Sequence, residues 1–241
     1  MKNRIQDQLI SPKHRVVRKL FNSNKYVLEP IEDVLKLKSP VIIPVSAKNV
    51  LKDAKISDEQ IKLMAWIISE GTIERSTKYR SAFRVSIYQS KVKNPKNYDE
   101  IKNLLKKFKL NYSTYASSSL GDEVERFRLD ASSSKTIHGW FGTKDNVHFI
   151  PDILLNMSER QSRLFIETYL KGDGFEDCKI TVTDIELLDA MQIICVNAGY
   201  GFTVLKRKPT IGTKDIFVLR LIKHQESYIN KIEKIKYSGV I

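Results

Sequence analysis

Two segments of this chain are built on one plan, and their spacing constrains the fold more than any other feature. Ser57-Asp58-Glu59-Gln60 has the pattern of a helix-opening capping box, and the apolar run after it stops at Glu70-Gly71. Ser158-Glu159-Arg160-Gln161 has the same pattern, and its helix stops at Asp173-Gly174. Each predicted helix therefore ends on a carboxylate followed by the glycine expected at a helix C-terminus. The two acids stand 103 positions apart, about one repeat length.

The segments after the two glycines are also alike. Extended stretches with alternating character come first, at residues 82–90 and 178–183. An amphipathic helix comes next. Its apolar residues are Tyr98, Ile101, Leu104, Leu105 and Phe108 in one half, and Ile185, Leu188, Met191, Ile193 and Cys195 in the other. Two strands come after it, at 112–116 and 126–129, matched by 202–206 and 217–221. A short helix closes each half, around 137–141 and 228–235. Each half reads αββαββα. The expectation is an α+β fold of two pseudosymmetric halves, 57–141 and 158–241, joined by a linker at 142–157. Residues 1–50 differ: short β-like runs at 15–17, 26–28 and 41–43 are broken by Pro12, Pro30, Pro40 and Pro44, which reads as a small strand-rich appendage.

A carboxylate at a helix C-terminus sits where the dipole is negative and the carbonyls lack partners. A hard divalent cation relieves both, because it binds carboxylate and carbonyl oxygens together. Small residues recur at matched offsets before each acid: Ala65 and Ser69 on the first helix, Thr168 and Gly172 on the second. Residues four apart share a helix face, and small side chains there let two backbones approach closely. Two such helices side by side would bring Glu70 and Asp173 together, and paired acids can share metal ions that activate a water. Helices ending in acid-Gly are common singly; the matched pair inside a repeat carries the argument.

Charge points to the partner. Forty-one Lys and Arg face 28 Asp and Glu, for a net charge of +13 and a pI near 9.6. Such an excess attracts polyanions, and counterion release would supply much of the affinity for nucleic acid. A hydrophobic share of 41% fits a folded globular chain. No apolar run approaches the roughly 18 residues of a membrane span, and the N-terminus has no apolar signal core, so an intracellular protein is expected. Cys178 and Cys195, without CxxC spacing or a nearby His, argue against a disulfide framework and a zinc site.

The segments 63–71 and 166–174 resemble the two motifs of the LAGLIDADG homing endonucleases, in the two-motif monomeric type. The resemblance covers about residues 57–241 through motif and repeat order. It implies that the motif helices form the interface between two αββαββα halves. It implies that Glu70 and Asp173 bind catalytic divalent ions, normally Mg²⁺, with Ser69 and Gly172 at the same helix ends contributing to the metal site. It also implies that the sheets form a saddle over the major groove of double-stranded DNA. Glu70 replaces the usual Asp, a longer carboxylate that could still ligate.

Residues 147–151, VHFIP, look like the segment of intein endonucleases that carries Lys-x-Ile-Pro before the second motif. His148 stands where that catalytic Lys would be. A neutral His could act as base or hydrogen-bond donor but holds no fixed charge, and an ordinary linker His is the alternative. Residues 11–17, SPKHRVV, resemble a splicing-domain segment, which reads residues 1–50 as a remnant of such a domain. Neither terminus offers a splicing nucleophile or a His-Asn pair, so self-splicing is chemically unsupported.

The resemblance places groove-reading side chains on the strands after each motif. Candidates are Arg75, Lys78, Arg80, Arg84, Arg126 and Arg128 in the first half, and Lys179, Lys206, Lys208, Lys214 and Arg220 in the second. Alternation lets only every second strand residue face DNA. Tyr88 and Gln89 could read adenine or pack. The implied activity is cleavage of a long asymmetric duplex site by a monomer with non-identical halves. The alternative is a non-cleaving DNA- or RNA-binding protein on the same scaffold, a maturase or a regulator, which loses the acids.

Overall fold

The computed structural model describes residues 10–75, 83–117, 123–142, 150–175, 178–208, 214–223 and 226–229. Among them, Ser57 caps α2 (Asp58–Glu70) by accepting from the Gln60 N–H at 3.2 Å. Ser158 caps α6 (Glu159–Asp173) in the same way through the Gln161 N–H. Leu63 to Ile68 of α2 are all buried, so this helix is enclosed on every side and must pack against more than its own sheet. Its other neighbour is α6.

The first half runs α2, β4 (Gly71–Arg75), β5 (Phe83–Ser90), α3 (Pro95–Lys107), β6 (Tyr112–Ala116), β7 (Val124–Leu129), α4 (Ala131–Phe141). Its strands form an antiparallel sheet in the order β4-β5-β7-β6. After α5 (Asp152–Leu155) the second half repeats the order: α6, β8 (Gly174–Phe175), β9 (Lys179–Val182), α7 (Ile185–Asn197), β10 (Gly201–Arg207), β11 (Ile216–Ile222). Its sheet runs β10-β11-β9-β8, also antiparallel. One continuous core joins the two, from Val85, Ile87 and Phe127 through Trp66 and Phe165 to Ile180, Met191 and Leu219. Ile150, Leu154 and Met157, inside the expected linker, belong to that core.

The last helix expected near 228–235 is not what the structure shows at its start. Glu226–Ile229 is a strand, β12, and residues from 230 onward lie outside the described residues. It pairs with β3 (Val41–Pro44), with Tyr228 opposite Ile42. The reason is an open edge: β1 (Arg15–Lys19) lies between β2 (Tyr26–Pro30) and β3, which leaves the far side of β3 without partners for its N–H and C=O groups. Glu226 locks the pairing, accepting from Lys19 Nζ at 2.9 Å and from the Tyr26 hydroxyl at 2.6 Å. That carboxylate pushes the Tyr26 phenol up to about 12. With α1 (Ile31–Val34), Val16, Ile31, Val34, Val41 and Ile43 give this third sheet a small core of its own. It is fastened to the second half by the Ser46 hydroxyl, which donates to the Gly199 carbonyl at 3.0 Å, and by Val45 against Gly201.

The two acid-ended helices run parallel. At their starts Arg160 of α6 forks onto Asp58 of α2 (2.7 and 2.9 Å) and Asp53 (2.6 Å). The Gln161 amide does not turn back to its own cap. It grips the segment leading into α2, taking the Ala54 N–H at 2.7 Å and donating to the carbonyls of Ala54 and Ile56. At their ends Gly172 touches Ser69 and Glu70. Among the described residues no helix is long and apolar enough to cross a membrane.

Candidate metal centre and nucleic-acid interface

The contact at Gly172 fixes the geometry of the two acids. A Cβ placed there would lie 2.5 Å from Ser69 Oγ, 2.8 Å from Glu70 Cγ and 2.9 Å from Ser69 Cβ. Any larger side chain would wedge the helices apart. Ala65 and Thr168, one turn earlier on each helix, are fully buried, so the small-residue face reaches inward from this point. Glu70 and Asp173 are the last residues of parallel helices in contact, and each points the unpaired carbonyls of its final turn toward the same end.

Gly71 and Gly174 do not take the left-handed conformation expected of a C-terminal glycine. Both are extended, with φ of −120° and −83°. What excludes a side chain is space: a Cβ on Gly174 would sit 2.1 Å from the Leu170 carbonyl oxygen, and one on Gly71 2.6 Å from that of Ile67. The chain passes from helix to strand so tightly that each acid is held at the junction with the first strand of its sheet.

The acids are electrostatically uncomfortable. Burial, and then the neighbouring charge of Asp173, push Glu70 up to about 7. Burial pushes Asp173 up to about 6, opposed by the Tyr169 hydroxyl, which donates to Asp173 Oδ2 at 3.3 Å. Tyr169 itself is buried, and burial with the two carboxylates raises its phenol well above the usual range. Carboxylates raised in the fold contribute stability below their ordinary pKa that is lost as pH rises through about 6 to 7. Near neutral pH a bound cation would offset that loss.

The donor set suits one class of ion. Among the described residues no cluster of three or more His, Cys, Asp or Glu side chains exists to cage a metal. Two carboxylates at adjoining helix ends fit Mg²⁺, which keeps several waters and binds through one or two carboxylates plus substrate phosphates. His148 lies outside the described residues, as do Lys78 and Arg80.

Strand register sorts the basic candidates by face. On the first sheet Val85, Ile87 and Phe127 point into the core, so Arg84, Tyr88, Arg126 and Arg128 point away from the helices. Arg128 Nη1 donates to Ser86 Oγ at 3.2 Å, and the Arg126 guanidinium stands 5.6 Å over Tyr115. Arg75 pairs with Phe83 and has the same parity as buried Ile73, which puts it on the helix side, 5.9 Å over the Phe83 ring. Gln89 is buried on that side too, where its amide oxygen accepts from Asn94 Nδ2.

On the second sheet Ile180, Val182, Leu219 and Leu221 face the core, so Lys179 and Arg220, which pair across strands, face outward. Lys206 has helix-side parity, opposite Phe217, and is ion-paired to Asp215 at 2.6 Å. Its neighbour Arg207, absent from the sequence candidates, has outward parity and lines a groove of about 830 Å³ with Lys179, Thr203 and Arg220. Lys208 and Lys214 are exposed, just outside β10 and β11. Tyr169 was also missed. Its position one helical turn before Asp173 was visible in the sequence, but nothing there showed the hydroxyl turning toward the acid.

No family model matches the chain, and no curated protein matches it by sequence. Solved structures do. I-DmoI bound to DNA and calcium is similar at a TM-score of 0.50 and 15% identity, over 68% of this chain and 82% of that one. I-DmoI bound to DNA and manganese gives 0.50 and 16%, over 68% and 89%. I-DmoI is a homing endonuclease. The chain has the homing-endonuclease fold. In that fold Glu70 and Asp173 close the two central helices of the molecule, each with a four-stranded sheet after it.

Proposed function

We propose that this chain is a site-specific endonuclease of the LAGLIDADG type, which hydrolyses double-stranded DNA with divalent metal held by Glu70 and Asp173. One observation carries the reading: the Gly172–Ser69–Glu70 contact, which sets two raised carboxylates at the ends of abutting parallel helices. A structural role alone would favour a neutral or basic residue at a helix C-terminus. Divalent metal, when bound, supplies a Lewis acid for the scissile phosphate and an activated water. The chain's own residues do the rest. Glu70 and Asp173 hold the charge that fixes the cation, Tyr169 orients the Asp173 carboxylate, and Gly172 sets the separation.

The outward faces of the two sheets, with Arg84, Arg126 and Arg128 on one and Lys179, Arg207 and Arg220 on the other, would each take half of a long asymmetric site. Non-identical halves let a monomer read such a site. We assign residues 57–141 and 158–241 to the two halves and 142–157 to their connection. Residues 1–50 are read as the splicing-domain remnant, with 226–229 of the second half adding an edge strand to its sheet, in an intracellular protein. His148, outside the described residues, is assigned an auxiliary catalytic role in addition to that of the acids. The DNA complexes of I-DmoI with calcium and manganese support both partner and cofactor. A non-cleaving binder on this scaffold has no use for two acids at this position.

Incubating the protein with a library of duplex sites, with Mg²⁺ or with EDTA, and sequencing the ends tests the proposal. The expected result is a single family of cut sites that appears only with Mg²⁺. Ends no different from the EDTA control would contradict it.

A further inference from the structure

The two outward sheet faces differ in chemistry in a way that bears on what each would read. On the second sheet, register aligns side chains from neighbouring strands into rows. Leu205 of β10 stands opposite Val218 of β11, which stands opposite Thr181 of β9. This row presents only methyl groups and one hydroxyl, and Leu205 is 53% exposed. On one side of it lies Arg207; on the other lie Lys179 and Arg220, with Thr203 beside them. Leu205 and Val218 of the row line the same groove of about 830 Å³ as the cationic flanks. Among the described residues the first sheet has nothing equivalent. Its outward cross-strand neighbours are Tyr88 with Arg126 and Tyr115, Ser86 with Thr72, Arg128 and Ser113, Arg84 with Glu74, and Ser90 with Val124. Among its described residues no two outward aliphatic side chains pair across strands.

An exposed aliphatic row is costly in water unless a partner covers it. Cations on both sides select a polyanion as that partner. In the major groove the one apolar group a base pair offers is the thymine C5-methyl, whereas arginine forks onto guanine. We propose that the row of Leu205, Val218 and Thr181 reads thymine methyls, so that the half-site under the second sheet is A·T-rich opposite this row. Guanines in that half-site are confined to the flanks beside Arg207 and Arg220, whereas the half-site under the first sheet, which bears arginines and no aliphatic row, is guanine-bearing. The inference rests on the endonuclease reading and specifies the substrate of that same surface.

The test has two stages, both with the whole protein. First, duplexes bound in Ca²⁺ are enriched from a randomised library and sequenced. One half of the enriched site should carry a block of thymines, and the other should carry guanines. Second, the thymines of that block are replaced by deoxyuridine, which removes only the methyl groups. Binding should weaken about threefold to fivefold per methyl contacted. A Leu205→Ser, Val218→Ser double variant should bind the thymine and uracil duplexes alike. The uracil arm needs no variant, so a folding defect in the double variant leaves the inference exposed to refutation. Enriched sites with G·C pairs throughout both halves, or equal binding of thymine and uracil duplexes by the unaltered protein, would overturn the inference and leave the endonuclease reading standing. No enrichment of any duplex would overturn both.

Discussion

Asp173→Asn is expected to lower cutting by about three orders of magnitude, the effect of losing several kcal/mol of transition-state stabilisation, with little change in DNA binding. Asparagine keeps the size of the side chain and an oxygen that can still accept from the Tyr169 hydroxyl. What it removes is the charge that holds a cation. The side chains assigned to DNA lie elsewhere, on the outward sheet faces, so the complex should survive. Glu70→Gln should behave likewise, because Glu70 shares the site and its carboxyl is raised in the same way. The measurement is a gel shift in Ca²⁺ and a nicking assay in Mg²⁺ on one preparation. Undiminished cutting of both strands would refute the catalytic assignment. Joint loss of binding and cutting would mean that the acids hold α2 and α6 together.

DNA affinity should fall about a thousandfold or more between 50 and 200 mM salt, the loss expected when six or more phosphates are neutralised. Six outward cations stand ready on the two sheets: Arg84, Arg126, Arg128, Lys179, Arg207 and Arg220. If each releases one counterion, log affinity against log salt has a slope near about −5. Arg84→Ala should make the slope shallower by about 1 if Arg84 meets a phosphate, and should relax specificity at one position if it meets a guanine. Affinity that is flat across the salt series would leave the net charge of +13 without a role in binding.

The sequence made the repeat legible because its signals are local. Capping serines, apolar periodicity and strand alternation each act within a few residues, and α2, α6, β6 and β10 lie where those signals put them. The small-residue spacing was legible for the same reason: Ala65 with Ser69 and Thr168 with Gly172 share helix faces whatever the fold. Two kinds of information were not there. One is parity at exposed strand ends. Lys206 and Arg207 are adjacent, both cationic and both exposed, and only the pairing of Lys206 with Phe217 shows which one faces outward. Arg75 is the same case, decided by its pairing with Phe83. The other is long-range completion. Residues 228 and 229 read as the start of a terminal helix until the open edge of β3 supplies a partner some 180 residues away in the chain. The glycines after the acids show a right residue with a different reason. A glycine was expected at each helix C-terminus, and what the structure requires of it is close approach to a helix carbonyl rather than a left-handed turn.

The claim that Glu70 and Asp173 form a metal centre is tested most directly by titrating the whole protein with Mn²⁺ at pH 8 and pH 6 and reading free Mn²⁺ by electron paramagnetic resonance. Only ionised carboxylates hold the cation, and protons compete for carboxyls raised to about 7 and about 6. Binding should therefore be present at pH 8, about tenfold weaker at pH 6, and lost in Asp173→Asn and Glu70→Gln. Mn²⁺ binding that is unchanged by pH across this range and intact in both variants would place the metal elsewhere and contradict the account.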